Sequence, residues 1–456
     1  MSARATNGRA GSSVSIPADR YRTAEFAELE RQRLWPKVWQ LACSVDHVGR
    51  PGDVFEYRCG LLSVLIVRGG DGQLRGFQNV CRHRGNSLIS GNANVAELRC
   101  PFHRWSWDLT GRLREVPSRS DFGPLDDESL GLIPVHVASW GRLVFVNLDL
   151  DAMPLSEWLE GIPDDIAWIG VDHYRCVATV VTEVQCNWKI VTDGFSETYH
   201  IQGLHREMLA SIDDVGASQR LWSRHGVSSQ AYGVASARLG PHVANHEVWD
   251  SFVRTQGERM GVTETGSIPL IAAGETVQDA IAARIRARLS ERGVDVRAFD
   301  TNQMMRLHQY NLLPNATVLF NADMLNVICA RPGAAPDRAE MVMLNFERAA
   351  AADAPRNSPI DIRLDESDVD FGLVINQDVA LLRTAQRGVN QPGLMHLTVG
   401  SEECRLIHNH RNLDRFLGLS PADSVSDAAS ASGHRPVGEP VGSPVGELGH
   451  ADGSMS

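Results

Sequence analysis

The chain has 456 residues, with 44 basic residues against 56 acidic ones and a net charge of −12. A chain of this length can bury a large core in two or three domains. The acidic balance argues against a nucleic-acid surface, and no run approaches the roughly 18 consecutive apolar residues of a membrane span. Residues 1–15 are small and polar, which predicts a disordered tail without the apolar stretch of a secretory signal. Apart from Cys81 and Cys100, the eight cysteines follow no pattern, as in a reduced cytoplasmic protein.

Across 21–39, Phe26, Leu29, Leu34 and Val38 predict a helix within 16–39, packed on the larger domain and running into a strand. Residues 40–150 change rhythm. Short apolar runs at 61–67 and 143–148, punctuated by Gly and Asp, predict a small antiparallel β domain. Gly69-Gly70-Asp71-Gly72 reads as a hairpin turn between two of its strands.

Within this domain stand CRHRG at 81–85 and CPFHRW at 100–105. The candidate ligands are Cys81-x-His83, then sixteen residues, then Cys100-x-x-His103, so each arm offers one thiolate and one imidazole. Zinc could occupy such a set as a structural site. Zinc fingers, however, usually group Cys with Cys and His with His. The mixed arms suit a [2Fe–2S] cluster with both thiolates on one iron and both imidazoles on the other.

Beyond 150 the pattern mixes helices near 155–160, 188–200, 276–292 and 377–388 with strands near 178–186, 316–330 and 341–348. That mixture predicts an α+β domain over 151–419, with helices on an antiparallel sheet. Its most polar stretch is NWKIVTDGFSETYHIQGLH at 187–205. Read as a helix, it carries Asp193, Glu197 and His200 on one face. His205 lies about 140° round from His200 on an ideal helix. Both rings therefore reach one ion only where the helix loosens, and Gly203 is placed to allow it. A carboxylate and two imidazoles facing inward need a cation or a hydrogen-bond network, and the residues alone leave both open. Apolar residues at Leu204, Met208, Leu209, Leu319, Phe320, Met324 and Leu325 read either as pocket lining or as core. Residues 420–456, with three Pro-Val-Gly triplets, predict a second disordered tail.

From about residue 20 to about 415 the chain resembles the large (α) subunit of the Rieske non-haem iron oxygenases, the aromatic-ring-hydroxylating family. The pattern C-x-H-R-G…C-P-x-H-x-W is met at Cys81, His83, Arg84, Gly85, Cys100, Pro101, His103 and Trp105, with Arg104 where the family most often has Gly. The second pattern, N-W-K…E-N-x-x-E/D-x-Y-H…H, is met from Asn187 to His205, with Asp193 for Glu and Gly194 for Asn. A third, E-D-x-x-L…Q-x-G, falls on Gln377-Asp378, Leu381 and Gln386-Arg387-Gly388, with Gln377 for Glu.

The resemblance implies one Rieske [2Fe–2S] cluster on Cys81, His83, Cys100 and His103. It also implies one mononuclear Fe(II) on His200, His205 and Asp378, with Glu366, Asp368 and Asp370 as fallbacks for the third ligand. Glu197 takes the place of the family's bridging carboxylate, and Asp193 stands beside it as a catalytic candidate. The implied activity is that of a terminal oxygenase hydroxylating an aromatic or other largely apolar substrate with O2, by mono- or dioxygenation. The alternatives are a monooxygenase or demethylase on a non-aromatic substrate, and a purely electron-transferring Rieske protein. No G-x-G-x-x-G follows a strand, so electrons are expected from a separate reductase or ferredoxin, with NAD(P)H used only indirectly. A homotrimer, with or without a small β subunit, is the implied assembly, without nucleic acid or membrane.

Overall fold

The computed structural model describes residues 4–5, 13–368 and 370–427. Most of the two expected tails lies outside the described residues. Their inner edges do not behave as tails: Val14–Pro17 pairs with His396–Val399 on one side and with Ser426–Asp427 on the other. Ile16 is wholly buried there, so the edge of each expected tail is drawn into structure by packing against the other end of the chain.

Among the described residues, a seven-stranded sheet runs Gln40–Ser44, Leu143–Asn147, Pro134–Trp140, Leu74–Gln78, Leu62–Arg68, Asp53–Cys59 and Ala93–Asn94. The turn between Leu62–Arg68 and Leu74–Gln78 is the expected glycine-rich hairpin, closed by Gly69 N–H to the Gln73 carbonyl at 2.9 Å. A three-stranded sheet of Leu98–Arg99, Ser106–Trp107 and Leu113–Glu115 stands beside it. The small core beneath these loops draws only on residues between Val54 and Leu132, including Trp105, Trp107 and both Cys81 and Cys100.

The larger part is built on a nine-stranded sheet with Tyr174–Val184 and Ala339–Arg348 near one edge. It is antiparallel except where Ile360–Asp365 joins Tyr174–Val184 in parallel. The strand expected over 316–330 is a hairpin of Ala316–Phe320 and Met324–Pro332. Strands Ile212–Leu221, Gly226–Tyr232 and Arg306–Leu312, and helices Asn245–Met260 and Cys404–Leu417, are additions to the sequence reading. Val277–Glu291 matches its expected helix and starts on a capping box, with Thr276 Oγ1 accepting from Asp279 N–H and Asp279 accepting from Thr276 N–H. Phe320 and Leu325 are core, and Met208 and Leu209 pack in a second core with the helices Asn245–Met260 and Val277–Glu291.

The N-terminal helix Ala24–Arg33 opens on Thr23, whose side chain accepts from Phe26 N–H. Its Glu30 is 1% exposed and takes hydrogen bonds from Lys189 Nζ at 2.5 Å and Trp188 Nε1 at 3.0 Å. This buried pair fastens the helix to the start of the 187–205 stretch. No helix among the described residues is long and apolar enough to cross a membrane.

Candidate metal centres

The two Cys/His loops are copies of one turn. Cys81 N–H donates to the Asn86 carbonyl and Gly85 N–H returns to Cys81; Cys100 N–H donates to Trp105 and Arg104 N–H returns to Cys100, at 2.8 to 3.1 Å. The closing residue is left-handed in both, with φ of 77° at Gly85 and 64° at Arg104. Glycine adopts that conformation without steric penalty, whereas a residue with a Cβ is strained by about 1 kcal/mol or more. Arg104 therefore carries a backbone cost that glycine would not.

The turns bring His83 and His103 to a ring separation of 4.8 Å, and His83 stacks on Trp105 at 5.2 Å with 7° between the planes. Both sulfurs are buried, and burial raises the Cys81 thiol above its ordinary value. His83 Nδ1 is buried with no hydrogen-bond partner. A buried, unpaired imidazole nitrogen beside two buried sulfurs is costly in a bare protein, and it is what a metal–sulfur group would satisfy. Arg84 Nη2 lies 3.0 Å from the other ring's Nε2, on His103, and its guanidinium covers Phe102.

The second centre departs from the single helix expected at 188–200. Trp188–Gly194 is helical, the chain then turns, and Ile201–Leu204 forms a second short helix. His200 and His205 flank that short helix, so the break falls before His200 and not at Gly203. Its cause is tertiary. The Phe195 carbonyl accepts from Gln309 Nε2, Asn311 Nδ2 and Thr317 Oγ1, side chains of the sheet below, at 2.5, 2.8 and 3.3 Å. Ser196 Oγ donates to the Thr192 carbonyl at 2.6 Å.

Asp378 enters from the helix Leu373–Val389. One ligand atom each from His200, His205 and Asp378 lie within 4.8 Å of one another, a grouping that could hold a metal ion. Asp378 Oδ1 is 3.0 Å from His205 Nε2 and 3.8 Å from His200 Nε2. The opposite ring nitrogens are both taken. His200 Nδ1 donates to Glu197 Oε1 at 2.5 Å, and Glu197 Oε2 also accepts the His200 backbone N–H at 3.0 Å. His205 Nδ1 donates to Gln377 Oε1 at 2.7 Å. With both Nδ1 atoms protonated, both Nε2 atoms face the Asp378 carboxylate, and the group calls for a positive charge between them, either a metal ion or a proton on His205. Such a set is stable around a positive charge. His205 shows the same demand: burial, the largest influence, lowers it, but Asp378, Gln377 and Glu207 together raise the ring above its ordinary value. Two imidazoles and one carboxylate converging from one side is the ligand set of non-haem ferrous sites.

Asp193 is not brought to this group. Its carboxylate accepts from Tyr21 Oη at 2.6 Å and from His410 Nε2 at 3.0 Å, while Arg20 Nη1 holds His410 Nδ1 at 3.1 Å. It thereby ties the end of the Trp188–Gly194 helix to both ends of the chain. Of the fallback acids, Asp370 lies just before the Leu373–Val389 helix, accepting from Gly372 N–H and Asn376 Nδ2. Glu366 and Asp368 sit in a short helical turn, Glu366 half-buried and Asp368 exposed. Gln377 enters the sequence reading only as the first position of the third pattern, without a role, and Glu207 does not enter it; Glu207's only signal is closeness in sequence to His205.

Two family models match the chain: a Rieske [2Fe–2S] domain over residues 38–136 and the catalytic domain of the ring-hydroxylating α subunit over residues 171–419. The glycine betaine monooxygenase oxygenase subunit of Pseudomonas aeruginosa is 30% identical over 209 residues, 44% of this chain and 48% of that one. The chain thus spans about half the length of that curated relative. Among solved structures, a quaternary ammonium Rieske monooxygenase superposes with a TM-score of 0.64 at 17% identity, over 88% of this chain and 95% of that one. Naphthalene 1,2-dioxygenase from Rhodococcus superposes with a TM-score of 0.62 at 18% identity, over 89% and 95%. At these identities the likeness is one of fold.

Proposed function

Because the chain belongs to the ring-hydroxylating oxygenase α-subunit family, matched over residues 171–419, we propose that it is a terminal oxygenase. It would use O2 and electrons from a separate ferredoxin or reductase, with NAD(P)H entering only through that reductase. In this reading residues 40–150 form the cluster domain and 151–419 the iron domain, with the helix Ala24–Arg33 fastened to the latter through Glu30 and Lys189. When bound, the cluster supplies electrons singly and the ferrous ion supplies a place for O2 to bind and be activated.

The chain's own residues do the rest. Cys81, His83, Cys100 and His103 would hold the cluster, and His200, His205 and Asp378 the iron. Glu197 and Gln377 keep protons at the outer nitrogens of the two histidines, so that their inner nitrogens remain free to ligate. Asp193 acts at one remove, by anchoring the segment that carries Glu197 and His200. The working unit would be a homotrimer, with or without a small β subunit, in the cytoplasm.

For the substrate, we favour a quaternary ammonium compound. The curated relative is named for glycine betaine and a structural relative for quaternary ammonium oxidation. The fold match to naphthalene 1,2-dioxygenase supports an aromatic substrate as the second reading.

The observation that carries the proposal is the convergence of His200, His205 and Asp378 with both outer nitrogens already committed. The test is O2 uptake by the iron-loaded protein with a reductase, offered glycine betaine, carnitine, choline, naphthalene and indole in turn. Uptake coupled to product from one of the first three is expected. Product from naphthalene or indole alone would transfer the protein to the second reading, and a protein holding zinc without acid-labile sulfide would refute the oxygenase itself.

A further inference from the structure

Gln377 and Asp378 are adjacent, yet they address opposite nitrogens of His205: Gln377 Oε1 lies 2.7 Å from Nδ1 and Asp378 Oδ1 lies 3.0 Å from Nε2. An amide side chain can present either its oxygen or its NH2 to a ring nitrogen, and each choice selects a different tautomer. Here the choice is made by a third residue. Gln377 Nε2 donates to Glu207 Oε1, and a carboxylate can only accept. The amide oxygen must then face His205, Nδ1 must carry the proton, and Nε2 must be the lone pair.

Glu207 is itself held in place. It lies in the turn Arg206–Met208, its backbone carbonyl accepts from Ser251 Oγ, and the next two residues are buried in the core packed on Asn245–Met260. Beside His200 the same task falls to one carboxylate, Glu197, whose orientation carries no ambiguity. His205, with a neutral amide as partner, needs Glu207 to remove the ambiguity.

We propose that Glu207 and Gln377 are a positioning pair that fixes the tautomer and plane of His205 for metal binding, an inference that rests on His200, His205 and Asp378 being the iron ligands. Neither residue touches the metal; both act through His205. The pair consists of one donor and one acceptor, and the two can be exchanged. Gln377→Glu alone would set two carboxylates against each other. Adding Glu207→Gln in the same chain restores one donor and one acceptor, and an acceptor oxygen at position 377 still faces His205 Nδ1.

The test is anaerobic titration of ferrous ion into protein whose cluster is intact and whose mononuclear iron has been removed. It is read together with the electron paramagnetic resonance spectrum of the nitric oxide adduct. Gln377→Leu is expected to weaken iron binding about 10- to 100-fold and to alter the nitrosyl spectrum, with the cluster's visible spectrum unchanged. Gln377→Glu should weaken binding likewise, and Glu207→Gln with Gln377→Glu should recover most of the affinity and the native spectrum. A merely space-filling role would not produce that recovery. Wild-type affinity and spectrum in both single Gln377 variants would overturn the proposal, as would failure of the double exchange to recover either. His205→Ala serves as the separate control: if it keeps its iron, the ligand reading fails, independently of the pair.

Discussion

At the scale of single residues, the two centres differ in what their sequence departures cost. Arg104 occupies a left-handed position, φ 64°, in a turn whose twin places Gly85 at 77°. Arg104→Gly should therefore stabilise the protein by about 0.5 kcal/mol, the strain relieved less the added freedom of the unfolded chain. Thermal unfolding followed at the cluster's absorbance checks it; an equal or lower midpoint would mean that Arg104's side chain compensates. At the other centre His200, His205 and Asp378 each supply one atom to the same small space. Replacement of any one by Ala should remove the mononuclear iron and turnover and leave the cluster spectrum intact. Iron and sulfide analysis distinguishes them, and an Asp378→Ala protein with full iron would shift the third ligand to another group.

At the scale of elements, what was legible depended on how far away the determining contacts lay. The cluster loops are written in 25 consecutive residues, Cys81 to Trp105, and the hydrogen bonds that shape them are local. The helices Val277–Glu291 and Leu373–Val389 bury apolar residues at helical spacing and so announce themselves. By contrast, Gly226–Tyr232 buries Ser228, Ser229 and Gln230, and Cys404–Leu417 buries Arg405, Asn409, His410 and Asn412 among Leu406, Ile407, Leu413 and Leu417. Their inward faces look polar in sequence because they serve hydrogen-bond networks. The break before His200 was illegible for the same reason, since the side chains that capture the Phe195 carbonyl lie more than a hundred residues on. The buried pair Glu30–Lys189 is the joint on which the N-terminal helix depends. Burial lowers Lys189, and Glu30 opposes this only in part, so the ammonium stays below its ordinary value. Lys189→Met should cost about 3–5 kcal/mol by stranding the Glu30 charge, and Glu30→Leu added to it should restore most of the loss. Denaturant midpoints of the two variants decide the point; an equally unstable double variant would mean the pair contributes more than charge compensation.

At the scale of the whole molecule, one large core runs through both parts, from Leu34 and Trp35 through Phe145 to Phe346, so the cluster-bearing and iron-bearing parts share a foundation. The trimer that the family resemblance implies would add a second kind of connection, in which Glu197, hydrogen-bonded to His200, would also reach the cluster of a neighbouring subunit. Glu197 is 8% exposed and already engages His200 through both oxygens. Glu197→Gln should keep both metals and a normal reduced cluster but slow cluster reoxidation severely when substrate and O2 are added to the pre-reduced protein. Single-turnover kinetics at wild-type rates would remove Glu197 from the electron path.

The grip of Tyr21 and His410 on Asp193 also has a consequence for biosynthesis. A chain leaving the ribosome exposes the cluster loops and all of the small core beneath them, Val54 to Leu132, early in translation. The support of the iron site closes only when residues near 410 emerge and meet residues near 20. The local core and loops of the cluster part are thus complete in the chain long before Asp378 and His410 emerge, so the cluster is expected to be installed before the iron.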